Sequence, residues 1–156
     1  MRRFRALPLA AAAAAATFAV PLAAVPAEAA ASTIRFSYVR YDAKGKDTRK
    51  NVNGEFLVVK NYGKKKVNLS GWTIGYRAAL KNSPLTLYFY RKNVIVLPGR
   101  QFVVRMGRGK NTKTTLYQQF AKHTWPNVKG GAHLFTPADK LADSCTWNSR
   151  RGYKKC

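Results

Sequence analysis

From Thr33 onward the apolar residues fall into short runs, and in the clearest of them apolar and polar positions alternate. Ile34, Phe36 and Tyr38 alternate with Arg35 and Ser37, the period of a strand with one buried and one wetted face. Residues 55–61, Glu-Phe-Leu-Val-Val-Lys-Asn, are rich in β-formers and end at Tyr62-Gly63-Lys64, which reads as a turn. Val67, Leu69, Trp72 and Ile74 make a third strand region around Ser70-Gly71, where the glycine marks a bulge or bend. Two further apolar runs cover 85–90 and 93–97; Pro98-Gly99 stops the second before a strand resumes at 101–106. Residues 114–120 read equally as a strand or a short helix. Residues 132–135 and 140–147 are joined by Thr136-Pro137-Ala138-Asp139, a hairpin-like connection. No window keeps a helical period, so the pattern predicts an all-β domain of about eight strands, a sandwich or a barrel.

The segment before this pattern is of another kind. Arg2, Arg3 and Arg5 precede an alanine-rich apolar run that ends at Pro26-Ala27-Glu28-Ala29. A basic start, an apolar middle and a small-residue exit are the parts of a cleavable export signal. The alternative is a membrane-anchoring helix, but Pro8, Pro21 and Pro26 favour cleavage, near Ala29 to Ala31. The expected organisation is therefore a signal peptide over 1–31 and one domain over 32–156, secreted or held at the cell envelope.

Charge narrows the class of partner. The 156-residue chain has 29 Lys and Arg against 6 Asp and Glu. Removing 1–31 takes three arginines and Glu28, which leaves 26 against 5, a formal charge of +21 on one small domain. Such a field attracts acidic partners and says nothing of fold. The cysteines are Cys145 and Cys156, and in an exported chain a disulfide between them is the default. It would close a short loop holding Arg150, Arg151, Lys154 and Lys155. Without a nearby pair of histidines the two cysteines do not make a zinc site, and no metal or cofactor is expected.

Residues 53–74 resemble the lamin tail domain, an immunoglobulin-like β-sandwich found in nuclear lamins and in exported bacterial proteins. The resemblance rests on Asn53-Gly54-Glu55-Phe56-Leu57-Val58-Val59-Lys60-Asn61, which leads through Gly63 into Val67-Asn68-Leu69-Ser70-Gly71-Trp72-Thr73-Ile74. Leu97-Pro98-Gly99, Gly107 and Gly109, and Ala132-His133-Leu134-Phe135 ahead of Ala142-Asp143-Ser144-Cys145 are similar to the family's order of features. The family often carries Gly-Asp where this chain has Gly130-Gly131, and its usual tail is replaced here by a basic, cysteine-closed end. The resemblance implies a binding or scaffolding module, with no characteristic catalytic residues to carry over.

Candidate chemistry is sparse. Trp72 lies inside an apolar strand and reads as a core anchor rather than a platform for ligand. Asn68-Leu69-Ser70 matches a glycosylation sequon but reads as part of the turn-and-strand motif. His123 and His133 are the only histidines, and the acids of 32–156 are Asp42, Asp47, Glu55, Asp139 and Asp143. Glu55 with a histidine and an arginine would equip a small secreted nuclease. Because Glu55 opens a strand of the family motif, it reads instead as a surface or turn-fixing residue. Met106-Gly107-Arg108-Gly109-Lys110 lacks the spacing of a phosphate-binding P-loop and reads as a solvated turn.

The basic residues cluster at 44–50, 64–66, 91–92, 105–113 and 150–155, mostly in expected loops. Tyr62, Tyr90, Tyr117 and Tyr153 lie beside them, a mixture of cation and aromatic found on single-strand-binding surfaces. Lys64, Lys65 and Lys66, with Arg105, Arg108, Lys110 and Lys113, are the densest runs bounded by clear strands and are the expected binding residues. The reading is a non-enzymatic binding module for polyanions: extracellular DNA, an anionic cell-wall polymer or an acidic envelope surface. The alternatives are a small secreted nuclease or other hydrolase, and a structural protein that its charge retains at the wall.

Overall fold

The computed structural model of the protein describes residues 32–75 and 93–156, together with the backbone of 86–88. The expected export signal, the basic pair 91–92 and Tyr90 lie outside the described residues. In chain order the strands are β1 (Ile34–Arg40), β2 (Phe56–Asn61), β3 (Val67–Asn68), β4 (Thr73–Gly75), β5 (Thr86–Tyr88), β6 (Ile95–Val96), β7 (Gln101–Arg105), β8 (Thr115–Tyr117), β9 (Lys129–Phe135), β10 (Leu141–Asn148) and β11 (Tyr153–Lys155). Among the described residues one 3-10 turn, Val52–Gly54, interrupts them.

One sheet has five strands in the order β11-β1-β2-β7-β8, antiparallel except for the parallel pair β7 and β8. The other runs β10-β9-β4-β5, antiparallel throughout, and β3 pairs with β6 at one side. Between the two layers lies one core. Phe36, Val39, Leu57, Val59, Phe102, Val104 and Leu116 face Ile74, Ala132, Leu134, Cys145 and Trp147. The fold is an all-β, immunoglobulin-like sandwich. Within residues 114–120 only Thr115–Tyr117 form a strand, and three residues of the cysteine-closed tail form β11, which the sequence pattern left as a loop.

β1 departs from its alternation in a way that shapes the surface. A bulge falls between Phe36, paired with Val59, and Tyr38, paired with Val58, so that Ser37 is the inserted residue. Ile34 and Phe36 point inward before it and Val39 after it. Tyr38, expected beside Phe36 in the core, is thereby turned to the outer face of the sheet, where it stacks on Phe56 and Tyr153. Two groups hold the bulge. The Asp143 carboxylate of the opposite layer accepts the Phe36 N–H at 2.7 Å, and the Ser37 carbonyl accepts the Cys156 N–H at 3.2 Å.

The tryptophans also sort differently from expectation. Trp72 is only half-buried and packs against the margin of the core. The interior anchors are Trp125 and Trp147, 3% and 4% exposed. Trp147 stacks on Tyr41 with ring centroids 4.6 Å apart and meets Trp125 edge-on at 5.8 Å. Both polar ends are satisfied: Trp147 Nε1 donates to the Pro126 carbonyl and Tyr41 Oη to that of Ser149. Trp72 sits one residue after Gly71, whose φ of +79° breaks the strand into β3 and β4 and leaves the ring at the corner.

Candidate functional site

The outward residues of the five-stranded sheet line up across strands. Arg40 of β1 is paired with Tyr153 of β11 on one side and with Phe56 of β2 on the other. Phe56 is paired with Arg105 of β7, and Arg105 with Tyr117 of β8. The resulting row, Tyr153-Arg40-Phe56-Arg105-Tyr117, alternates aromatic and arginine over all five strands. Two of the neighbouring pairs make cation–π contacts. The Arg105 guanidinium carbon lies 5.1 Å from the Phe56 ring centroid and that of Arg40 lies 5.8 Å from Tyr153, both within cation–π range.

Tyr38, thrown outward by the bulge, forms the next tier. Its ring stacks on Phe56 at 5.6 Å and on Tyr153 at 5.8 Å, and its hydroxyl accepts from Arg40 at 3.3 Å. Across from it in register stands Lys155. Further along, Arg35 is paired with Lys60, and both cations sit over the Tyr62 ring, at 4.4 and 5.0 Å. None of Asp42, Asp47, Glu55, Asp139 and Asp143 stands in these register rows, although the Arg40 charge reaches the Asp42 carboxylate two residues on. Among the described residues none of the five cations Arg35, Arg40, Lys60, Arg105 and Lys155 is in a salt bridge.

The expected binding residues frame this face at two separate places. Lys64, Lys65 and Lys66 are exposed on the turn after β2. That turn is built on Asn61, fully buried, whose Nδ2 donates to the Lys65 and Val96 carbonyls while its Oδ1 accepts the Gly63 N–H. Gly63 is required because a Cβ there would lie 2.8 Å from Thr33. Arg108, Lys110 and Lys113 are exposed on the loop after β7. That loop is pinned by Asn53 Nδ2 donating to the Arg108 carbonyl, by Gln119 Nε2 donating to the Gly109 carbonyl, and by Gly109 lying flat on the Tyr117 ring. Arg105 alone of the seven belongs to the row. The two clusters lie at opposite ends of β2, whose six residues span about 17 Å, so they do not form one patch.

Beside the Arg105 end, the exposed cations Lys44, Lys46, Arg49 and Lys50 are carried on the loop between β1 and the 3-10 turn. An open cleft between this loop and the one after β7 is lined by Arg49, Lys50, Asn53, Gly107, Arg108 and Phe120. What shapes the lysine loop is an acidic cluster beneath it. His123 Nε2 donates to the Thr48 carbonyl and Asn51 Oδ1, both at 3.1 Å, so its Nδ1 faces the carboxylates of Glu55 at 3.3 Å and Asp47 at 3.6 Å. The Nδ1 to Glu55 approach is close but poorly directed for a hydrogen bond, an ion pair by distance.

Glu55 is therefore not the surface residue its place in the motif suggested. It is fully buried, and its second oxygen accepts the N–H and hydroxyl of Thr124 at 2.9 and 3.1 Å. Burial pushes its carboxyl above the usual range, against the opposing pull of the Thr124 N–H and His123. Burial and the Asp47 charge push Asp42 up as well. His133 is elsewhere, buried on β9 with Nδ1 2.8 Å from Ser144 Oγ, and desolvation lowers its pKa. Among the described residues no group of His, Cys, Asp and Glu is placed to hold a metal ion.

Cys145 and Cys156 are bonded, with Cα atoms 5.7 Å apart. The bond ties β10 of one layer to the end of β11 on the edge of the other, so it holds in place the strand that supplies Tyr153 and Lys155.

The lamin tail domain family model matches residues 27–149. The chain belongs to the lamin tail domain family. No curated protein matches it. Lamin tail domains are immunoglobulin-like and non-catalytic as a family, in keeping with the sandwich and with a carboxylate sealed beneath a loop. The match stops before β11 and Cys156, so one end of the aromatic-arginine row lies on a segment beyond the matched lamin tail domain.

Sequence reasoning missed most of this face. Arg35, Phe56 and Lys60 stand within the strands it recognised and Arg40 just past one of them, but which of them share a face depends on the bulge at Ser37 and on strand register. No local signal marked β11, since Tyr153-Lys154-Lys155 carries no apolar–polar alternation.

Proposed function

We propose that this lamin tail domain is a secreted, non-enzymatic binding module that takes polyanions on the outer face of its five-stranded sheet. The observation that carries the reading is the row Tyr153-Arg40-Phe56-Arg105-Tyr117 with its flanking cations, none of them in a salt bridge among the described residues. A salt-bridged surface would neutralise its arginines with carboxylates. Here they are held against aromatic rings and keep their charge for a ligand. The exposed loops with Lys64 to Lys66 and with Arg108, Lys110 and Lys113 extend the positive field at the two ends of β2 and raise the rate of encounter. DNA outside the cell, an anionic wall polymer and an acidic envelope surface all have the phosphate or carboxylate chemistry this face attracts.

The burial of Glu55 supports the non-enzymatic reading over a nuclease, since a general base must reach the proton it removes. Retention at the wall by charge alone, as a structural protein, predicts association with no defined face. The test is equilibrium binding to DNA and to wall polymer at 50 and 200 mM salt, with the protein and with an Arg40→Gln/Arg105→Gln variant. An interface using about five cations on duplex DNA loses about five-hundredfold in affinity over that range, from a slope of about −0.9 per phosphate. The variant should lose affinity more than one lacking two cations elsewhere. Absence of binding at 50 mM salt overturns the reading.

A further inference from the structure

Resting on that reading of the face, we infer that its preferred ligand is a single-stranded nucleic acid, held by base stacking as well as by phosphate contacts. Charge alone does not account for the composition of the row. A surface selected to hold a phosphate polymer gains from arginine and lysine and nothing from Phe56, Tyr38 or Tyr153 standing among them. Wall phosphate polymers and polyphosphate have no π-face to offer these rings. Duplex DNA keeps its π-faces inside its own stack and offers a protein mainly phosphates and groove edges. A single strand offers both charge and unpaired bases, and a groove of cations with aromatic platforms is the physical arrangement that holds one.

The dimensions agree. Five strands about 4.8 Å apart give the row a length of about 19 Å, with the open rings of Tyr153 and Phe56 on alternate strands about 10 Å apart and Tyr117 covered by Gly109 at the far end. That length suits about four nucleotides, the low end of the footprints found on single-strand-binding sheets. Phe56 is a phenyl ring left half-exposed on an open sheet face, and Tyr153 is 41% exposed at its edge. The Arg40 and Arg105 guanidinium planes lie between or beside these rings, where they serve bases by stacking and phosphates by charge. Sequence preference should be slight, because every base has a π-face and no side chain of the row is a fixed reader of base edges.

The deciding experiment measures affinity of the purified protein at one salt concentration for three probes: a twelve-residue oligothymidylate, an abasic oligodeoxynucleotide with the same phosphates, and inorganic polyphosphate of matched charge. Oligothymidylate is expected to bind at least about tenfold more tightly than the abasic chain, the contribution of one or more stacked bases. A Phe56→Leu/Tyr153→Leu variant should lose that preference, its affinity falling further for oligothymidylate than for the abasic chain. Equal affinity of the unmodified protein for oligothymidylate and the abasic chain overturns the inference and leaves the polyanion reading standing. Failure to bind any of the three overturns both. The comparison of probes on the unmodified protein decides the matter even if the variant does not fold.

Discussion

The two layers of the sandwich share a core and a fold but present opposite outer faces. On the five-stranded sheet the outward register rows carry Arg35, Arg40, Lys60, Arg105 and Lys155 among Tyr38, Phe56, Tyr117 and Tyr153. On the four-stranded sheet the described rows pair Ser144 with His133 and Thr146 with Gly131, and His133 meets Gly75 on the far side. Those positions are small, neutral or buried, and the cation among the described rows of this layer is Lys129, paired with Asn148. Charge on this domain is therefore not spread as a uniform coat. Solubility would be served equally by lysines on either layer, whereas a ligand needs them on one, next to groups that give the contact direction. The contrast extends to the acids. Asp42, Asp47 and Glu55 gather around His123 beneath the lysine loop, and Asp143 is spent on the Phe36 N–H at the bulge.

The largest effect should come from the residue on which both layers depend. Trp147→Ala empties a large aromatic site against Tyr41 and Trp125 and should destabilise the fold by about 3 to 5 kcal/mol. Trp72→Ala should cost only about 1 to 2 kcal/mol, since part of its ring already meets water. Urea unfolding of the two variants checks the order. A Trp72 variant that unfolds more easily than the Trp147 variant would reverse the assignment of the core.

Next comes the staple, which separates the layers more sharply. Closing the segment between Cys145 and Cys156, eleven residues apart, is worth about 3 kcal/mol in the chain-entropy model. Cys156→Ser should cost about that much in stability. It should also free β11, and with it Tyr153 and Lys155, weakening polyanion binding while amide protection in β9 and β10 persists. Hydrogen exchange with a binding titration reads both at once. The bond itself is checked by peptide mapping without reduction, and alkylation of both cysteines in the unreduced protein would refute it.

How much of this was legible in the sequence follows from what each feature depends on. Strands such as 55–61 and 101–106, the turn at Pro98-Gly99 and the hairpin at 136–139 are local, and local alternation and turn chemistry are enough to place them. The disulfide was legible for the same reason, two cysteines close in sequence. The lamin tail domain motif was legible as a run of residues, yet it misplaced two of them. Trp72 was moved to the margin by the Gly71 turn, and Glu55 was drawn inward by Thr124 and His123, some 70 residues away in the chain. The row of arginines and rings was not legible at all. It needs the register of four strand pairings and one inserted residue, Ser37, and a one-residue error in β1 would have buried Tyr38 and Arg40 together.

A smaller effect distinguishes the layers by pH. Burial holds the folded-state pKa of His133 below its ordinary value of 6.5. As pH falls below that value the unfolded chain takes up the proton first, so the stability owed to neutral His133 is present above pH 6.5 and lost on acidification. The slope can reach about 1.4 kcal/mol per pH unit for one proton. Glu55 runs the other way. Its raised pKa means that its contribution is present below the unfolded value of 4.5 and lost as pH rises through the folded one. His133→Gln should flatten the stability profile just below pH 6.5, and Glu55→Gln should flatten it above 4.5. Thermal melts across pH 4 to 7 test both. Unchanged profiles in the two variants would mean that neither buried group is coupled to folding.

The smallest effect, and the one that presses hardest on the contrast between layers, concerns the loop cations. If the face of the five-stranded sheet is the site, the clusters at its two ends should contribute to affinity in proportion to how near they lie to the row. Arg108, Lys110 and Lys113 sit on the loop that packs over Tyr117, the last member of the row, whereas Lys64, Lys65 and Lys66 lie beyond Tyr62, past the third tier of side chains. On single-stranded DNA each engaged phosphate contributes about −0.7 to the slope of log affinity against log salt. Replacing the first cluster by glutamine should then reduce the slope by as much as about 2, and replacing the second by less. A control with Lys122, Lys129 and Lys140 replaced, all exposed and none in the five-stranded sheet, removes the same formal charge and should change the slope least of all. Net charge, pI and long-range field are nearly matched among the three variants, so only position differs. Three equal reductions would mean that the protein is a sticky sphere whose two faces differ in composition without differing in use.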